Sequence, residues 1–174
     1  MKYVKVPDDR LVLLRNGTKE KVEEATGTEI LIDKEAKTVS IEDDSSVKEL
    51  DCKRVIEAIS VGFKPHEAFQ LIDSPVTRLE KINIRNQTRN NKEFSRQKGR
   101  IIGENGRTRE LISEFTSTTV RIHNDRVGIV GENRDAQRAR RAIMSLIRGK
   151  PHPKVYKNLE QYRKNKVRSF ATRF

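Results

Sequence analysis

Three ordered matches at a separation of 89 or 90 residues constrain this chain more than any other feature. Asn16-Gly17 returns as Asn105-Gly106, Thr26 as Thr116, and Ile32 as Ile122. Internal similarity at a fixed separation points to one supersecondary unit built twice. With 174 residues and 34% apolar content, each copy must be small, with a modest core.

The first copy reads strand, helix, helix, strand, strand, helix. A short strand at 3–6 leads to an apolar segment at 11–14 that breaks at Asn16-Gly17. Thr18 is then placed to cap a helix running to about Thr26, which Gly27 ends. Residues 28–32 alternate, 33–36 form a polar turn and 38–41 return, which predicts a hairpin. A helix over 46–63 closes the unit with Val55, Ile56, Ile59 and Phe63 on one stripe. The second copy predicts a strand at 82–85, helices at 93–98 and 107–115, and a hairpin of 119–123 with 126–130. Its last helix, 133–148, sets Ala136, Ala139, Ile143, Leu146 and Ile147 on one side and Arg134, Arg138 and Arg141 on the other, and Gly149 and Pro151 stop it.

Residues 65–72 predict a short bridging helix that packs Ala68, Phe69, Leu71 and Ile72. Beyond Pro153, the helical spacing of Val155, Tyr156, Leu159 and Tyr162 lies in a basic stretch, either a docking helix or a tail that orders on a ligand. The expected architecture is α+β, two tandem β-α-α-β-β-α domains at 1–79 and 80–174 with a C-terminal helical extension.

Charge separates the two copies. Residues 1–79 carry 13 Lys and Arg against 16 Asp and Glu, a net of −3, whereas residues 80–174 carry 24 against 9, a net of +15. Segregated positive charge suits a polyanion, because phosphate neutralisation with counterion release drives sequence-independent nucleic-acid binding. The basic half also holds the most specific motif. Gly103 and Gly106 form G-x-x-G between two predicted helices, so a nucleic-acid backbone can approach the main chain and a helix N-terminus can face a phosphate. Lys98, Arg100 and Arg107 add charge beside Asn105 and Thr108. Ile101 and Ile102 opposite 120–122 would line an apolar groove for unstacked bases, with Arg121 and His123 as further contacts. Glu104 is the residue least suited to such a loop. On this reading Gly103→Asp with Gly106→Asp removes most of the binding while leaving the fold intact.

The corresponding loop of the first copy is Leu14-Arg15-Asn16-Gly17, with leucine at the first glycine's place. Asp8, Asp9, Glu20, Glu23 and Glu24 surround it. That copy is expected to repel phosphates and to face a basic protein instead. No catalytic motif is evident, no cofactor is expected, and the neighbouring acids Asp43-Asp44 and Glu23-Glu24 read as solvated surface in preference to a nuclease metal site. One cysteine, Cys52, excludes an internal disulfide and reads as core packing. Without a long apolar run or secretory leader, a soluble, cytoplasmic protein is expected.

The segment 99–106 with the helix and hairpin that follow resembles eukaryotic-type (type I) KH domains. Ala142-Ile143-Met144-Ser145-Leu146-Ile147-Arg148-Gly149-Lys150-Pro151 and Lys154-Val155-Tyr156-Lys157-Asn158-Leu159 resemble the ending of the partner-of-Nob (Dim-type) ribosome-assembly proteins, and 95–108 also fits them. The compact length is similar to archaeal members. The resemblance implies a degenerate first KH domain, an intact second one, and binding of single-stranded RNA near the 3′ end of small-subunit rRNA during its maturation. It further implies a Nob-type endonuclease and the alpha subunit of translation initiation factor 2 as partners. A Krr-type assembly factor and a protein scaffold with non-specific RNA affinity are the competing readings.

Overall fold

The computed structural model describes residues 1–42 and 46–172. It divides into two compact units, Met1–Leu79 and Glu80–Phe174.

In the first unit the elements run β1 (Lys2–Lys5), α1 (Asp8–Leu13), α2 (Lys19–Thr26), β2 (Glu29–Asp33), β3 (Thr38–Glu42) and α3 (Ser46–Ser60). The antiparallel sheet has the order β1-β3-β2, with Val4 opposite Val39 and Ile30 opposite Ile41. Strand alternation sends these four side chains to one face, where they are buried together with Val55, Ile56 and Ile59 of α3. Cys52 is buried in the same helix, and burial pushes its thiol pKa up. The bridge at 65–72 forms two single turns, α4 (Pro65–Ala68) and α5 (Gln70–Asp73), with Ala68 and Leu71 buried.

The joint between α1 and α2 departs from expectation. Thr18 has helical torsions and its side chain makes no cap bond, because the chain passes from α1 to α2 through one wide turn, Leu14–Thr18. Gly17, at φ +78°, lets the backbone swing without ending the helix. Leu14 is fully buried, so it closes the loop from within instead of projecting into a ligand's path.

The second unit continues with β4 (Thr77–Asn83), which crosses the unit boundary, then α6 (Asn91–Ile102), α7 (Arg107–Thr116), β5 (Thr119–His123), β6 (Arg126–Glu132), α8 (Asn133–Ile147) and α9 (His152–Ala171). Its sheet order, β4-β6-β5, is that of the first unit. The opening strand starts earlier than 82–85, and α6 runs well past 93–98 at both ends. Asn90 caps α6, accepting the Glu93 amide at 2.9 Å, while the Glu93 carboxylate accepts the Arg89 amide at 2.8 Å. The core joins Ile82, Ile84, Ile101, Ile112, Val120, Val127 and Ile129 to the inner face of α8. Each such fully buried aliphatic side chain contributes roughly 1.5–3 kcal/mol.

The C-terminal segment is a docked helix. Val155 and Leu159 of α9 are buried in the same core. Farther along, buried Asp135, in the first turn of α8, receives the Tyr162 hydroxyl at 2.7 Å and Lys166 Nζ at 2.5 Å. Burial, and then the bond to Asp135, push the Tyr162 phenol up to about 12.

Both units share one corner. Thr26 Oγ1 donates to the Val22 carbonyl at 2.7 Å and meets Thr28 Oγ1 at 2.8 Å; Thr116 Oγ1 donates to the Ile112 carbonyl at 2.6 Å and meets Thr118 Oγ1 at 2.8 Å. The residue between the threonines is left-handed in each case, Gly27 at φ +66° and Ser117 at φ +53°.

Candidate nucleic-acid interface

The loop between α6 and α7 takes its shape from two glycines. Gly103 sits at φ +74°, ψ 173°, a conformation open essentially to glycine alone, and a Cβ there would lie 2.6 Å from the backbone nitrogen of Thr108. Asn105 and Gly106 follow at φ +50° and +79°, and the Gly106 amide donates to the Gly103 carbonyl at 3.2 Å. Helix α7 therefore starts abruptly, with no side-chain cap on its N-terminus. The Arg107 amide donates to the Glu104 carbonyl, and the positive end of the α7 dipole faces the loop, where it favours an anion.

The loop rests on a rigid floor. Buried Thr108 shares a hydrogen bond of 2.7 Å with the Tyr156 hydroxyl of α9. His152 Nε2 lies 2.9 Å from the Arg100 carbonyl, and its ring is tilted against Tyr156 at 5.8 Å. An open groove of about 840 Å³ runs over this floor between Arg96 and Gly99 of α6 and Arg107 at the start of α7.

Of the sequence-predicted residues, Arg100, Gly103, Glu104, Asn105, Arg107 and Thr108 line this one groove, with Gly106 in the loop itself. Arg100 has a structural duty there: Nε donates to the Leu146 carbonyl at 3.2 Å and an Nη donates to the Lys150 carbonyl at 2.6 Å, which ties α6 to the end of α8. Arg107 faces solvent and pairs loosely with Glu110 at 4.0 Å. Lys98 lies 5.9 Å over the Phe94 ring and is not among the groove's lining residues.

Other expectations need correction. Ile101 and Val120 are fully buried core residues, so the pair Ile101-Ile102 does not form an aliphatic wall with 120–122; Ile102 alone of the pair is half-exposed. Arg121 and His123 alternate with the inward-facing Val120 and Ile122, which puts them on the sheet face away from the helices and outside the groove. Gly103→Asp will not leave the loop intact, since any Cβ meets the Thr108 backbone.

Sequence reasoning missed five groove residues, the acid Glu110 and, with a shared pattern, Arg96, Gly99, His152 and Tyr156. Their signal was a spacing of four, Arg96 with Arg100, Gly99 with Gly103 and His152 with Tyr156, which becomes visible only when α6 extends to 102 and α9 begins at 152. Among the described residues no three His, Cys, Asp or Glu gather as metal ligands. Glu23 accepts the Ile30 amide at 2.7 Å, whereas Asp43 and Asp44 lie outside the described residues. Among the described residues no helix is long and apolar enough to cross a membrane.

A β-α-α-β-β-α unit with a glycine loop joining its first two helices is a KH domain of type I, and residues 78–164 match the model of the eukaryotic type KH-domain (KH-domain type I) in its second-domain PNO1 form. A KH domain-containing protein of Methanocaldococcus jannaschii is 32% identical over 170 residues, covering 94% of this chain and 74% of that protein. The chain belongs to the PNO1 (Dim2) family of KH-domain proteins. The pre-rRNA-processing protein pno1 of Aspergillus fumigatus is 34% identical over 108 residues, 61% of this chain and 43% of that protein, so the chain spans under half the length of such eukaryotic relatives. Among solved structures, Dim2p from Pyrococcus horikoshii in complex with a/eIF2alpha and rRNA is similar at a TM-score of 0.85 and 35% identity, covering 94% of each chain.

Proposed function

We propose that this chain is an RNA-binding ribosome-assembly factor of the archaeal kind, which grips single-stranded RNA near the 3′ end of small-subunit rRNA and assists its maturation without catalysing a reaction. The observation that carries this reading is the Gly103–Gly106 loop, whose backbone closes over the Thr108–Tyr156 floor and leaves an uncapped helix N-terminus beside a basic groove. Such a loop clamps about four nucleotides by their backbone. The contacting set is Gly99, Gly103, Asn105, Gly106, Arg107 and Arg96, with Thr108, Arg100 and Tyr156 holding them in place. The pre-rRNA-processing relatives and the rRNA-bound archaeal neighbour support the substrate, and the same neighbour supports the alpha subunit of initiation factor 2 as a partner. A Nob-type endonuclease is the further expected partner, and a cytoplasmic location accords with the role.

We read the first unit as a degenerate KH domain in tandem with the second. Its element order and sheet order repeat those of the second unit, and its loop has collapsed around Leu14. It serves as a protein-facing platform.

The test is fluorescence anisotropy with an oligonucleotide from the 3′ end of small-subunit rRNA beside a scrambled control, at two salt concentrations. A preference that survives the higher salt supports base readout. Equal, salt-sensitive binding of both sequences sinks the specific reading and leaves a basic surface.

A further inference from the structure

Helix α8 carries a second basic feature outside the loop groove. Arg134, Arg138, Arg141 and Arg148 recur at spacings of four, three and seven, which aligns them along the side of α8 opposite its buried Ala136, Ala139, Ile143 and Ile147. The stripe is roughly 21 Å long at 1.5 Å per residue. Among the described residues no carboxylate pairs with Arg134, Arg141 or Arg148, and all three are exposed. The acids nearby are engaged: Asp135 is buried under Lys166 and Tyr162, and Glu80 pairs with Arg140 at 3.4 Å. Glu132 on the rim is the one exposed acid lining the adjoining groove.

One arginine is held in place. The Arg138 guanidinium lies 4.6 Å over the Tyr162 ring, whose hydroxyl is fixed by Asp135. A stacked guanidinium keeps its N–H edges for an anion and has little rotamer freedom left to lose on binding. It borders a groove of about 680 Å³ between α8 and α9, where Asn165 and Ser169 add neutral hydrogen-bonding groups. The C-terminal end of the stripe adjoins the loop groove, since Arg148 lies two residues beyond Leu146, whose carbonyl is held by the groove residue Arg100.

We infer that the α8 stripe and the α8–α9 groove form a second RNA-backbone site, which binds the phosphates of a strand after it leaves the loop groove. This rests on the reading of the loop groove as an RNA grip and extends it beyond the four nucleotides such a loop holds. The site recognises phosphodiester charge, not base identity, so it lengthens the footprint without adding sequence preference.

The test compares the full chain with the double variant Arg134→Gln, Arg141→Gln on single-stranded RNAs of about six and about sixteen nucleotides. Both arginines are exposed, so the variant keeps its fold, which circular dichroism verifies. For single strands each lost phosphate contact lowers the salt slope by about 0.7, which at 0.1 M salt is roughly fivefold in affinity. The expected result is about a 25-fold loss on the long RNA, a slope shallower by about 1.4, and unchanged binding of the short one. Equal affinities of variant and wild type for the long RNA overturn the proposal and leave the stripe to an acidic protein; equal losses on both RNAs overturn it as a separate site. Wild-type binding of the long RNA without the short one removes the loop reading while this one stands.

Discussion

Two glycines four residues apart, Gly99 within α6 and Gly103 just past its end, make opposite demands, and exchanging each for alanine separates them. Gly99 lies in the helix interior, exposed, with nothing within 4 Å of where a Cβ would stand. Alanine there gains helix propensity and restricts the unfolded chain, a stabilisation of about 0.5–1 kcal/mol. Gly103 has φ +74° and a Cβ position 2.6 Å from the Thr108 nitrogen. Backbone strain of roughly 1–3 kcal/mol adds to the displacement of α7's first turn, so Gly103→Ala should cost about 3 kcal/mol. In thermal unfolding followed by circular dichroism, Gly99→Ala should raise Tm by roughly 1–4 °C for unfolding of the chain as a whole, and Gly103→Ala should lower it by several times as much. The same Gly99→Ala protein should bind RNA more weakly, because its new methyl group stands on the groove wall. A Gly103→Ala Tm within a degree of wild type would refute the loop geometry. Unaltered RNA affinity in Gly99→Ala would remove that wall from the site.

Asp135→Ala strips the carboxylate from Lys166 and Tyr162 and should destabilise the second unit by about 3 kcal/mol in denaturant titration; a loss under about 1 kcal/mol would mean that α9 docks through Val155 and Leu159 alone. Phenolate absorbance should place Tyr162 at about 12, and Asp135→Asn should bring it down. Since folding raises this pKa, its stabilising contribution is complete below about pH 10 and disappears as pH rises through about 12, so a titration at the ordinary tyrosine value contradicts the buried hydrogen bond. Glu104→Lys replaces the exposed acid in the loop and should tighten RNA binding while steepening its salt slope; no change in slope would put residue 104 outside the phosphate path. Ser117→Gly relieves a left-handed non-glycine residue and should raise the Tm of the second unit slightly, whereas a lowered Tm would show that the serine side chain contributes more than the strain costs.

The repeat and the amphipathic stripes of α3 and α8 were legible because buried faces impose period on sequence. The loop glycines were legible because few residues tolerate their torsions. The extent of α6 was not, since Gly99 reads locally as a helix breaker and only the Asn90 cap and the packing of Ile101 carry the helix through it. That error moved Ile101 from core to groove and hid Arg96. Thr18 failed for a related reason: a threonine after Asn-Gly satisfies the cap pattern, but burial of Leu14 favours one continuous helical path. Arg121 and His123 were placed on the right strand, and the face they occupy depends on a register that sequence alone does not fix.

The threonine corner separates the residues that set the fold from those that could hold a ligand. The two units have the same hydrogen-bonded elbow, with distances matching to within about 0.1 Å, although the loop that holds Gly103 in one holds Leu14 in the other. Architecture and grip thus reside in different residues. A unit of this shape can therefore tolerate a different loop between its helices, because the elbow that sets the helix-to-strand angle does not depend on the loop's residues.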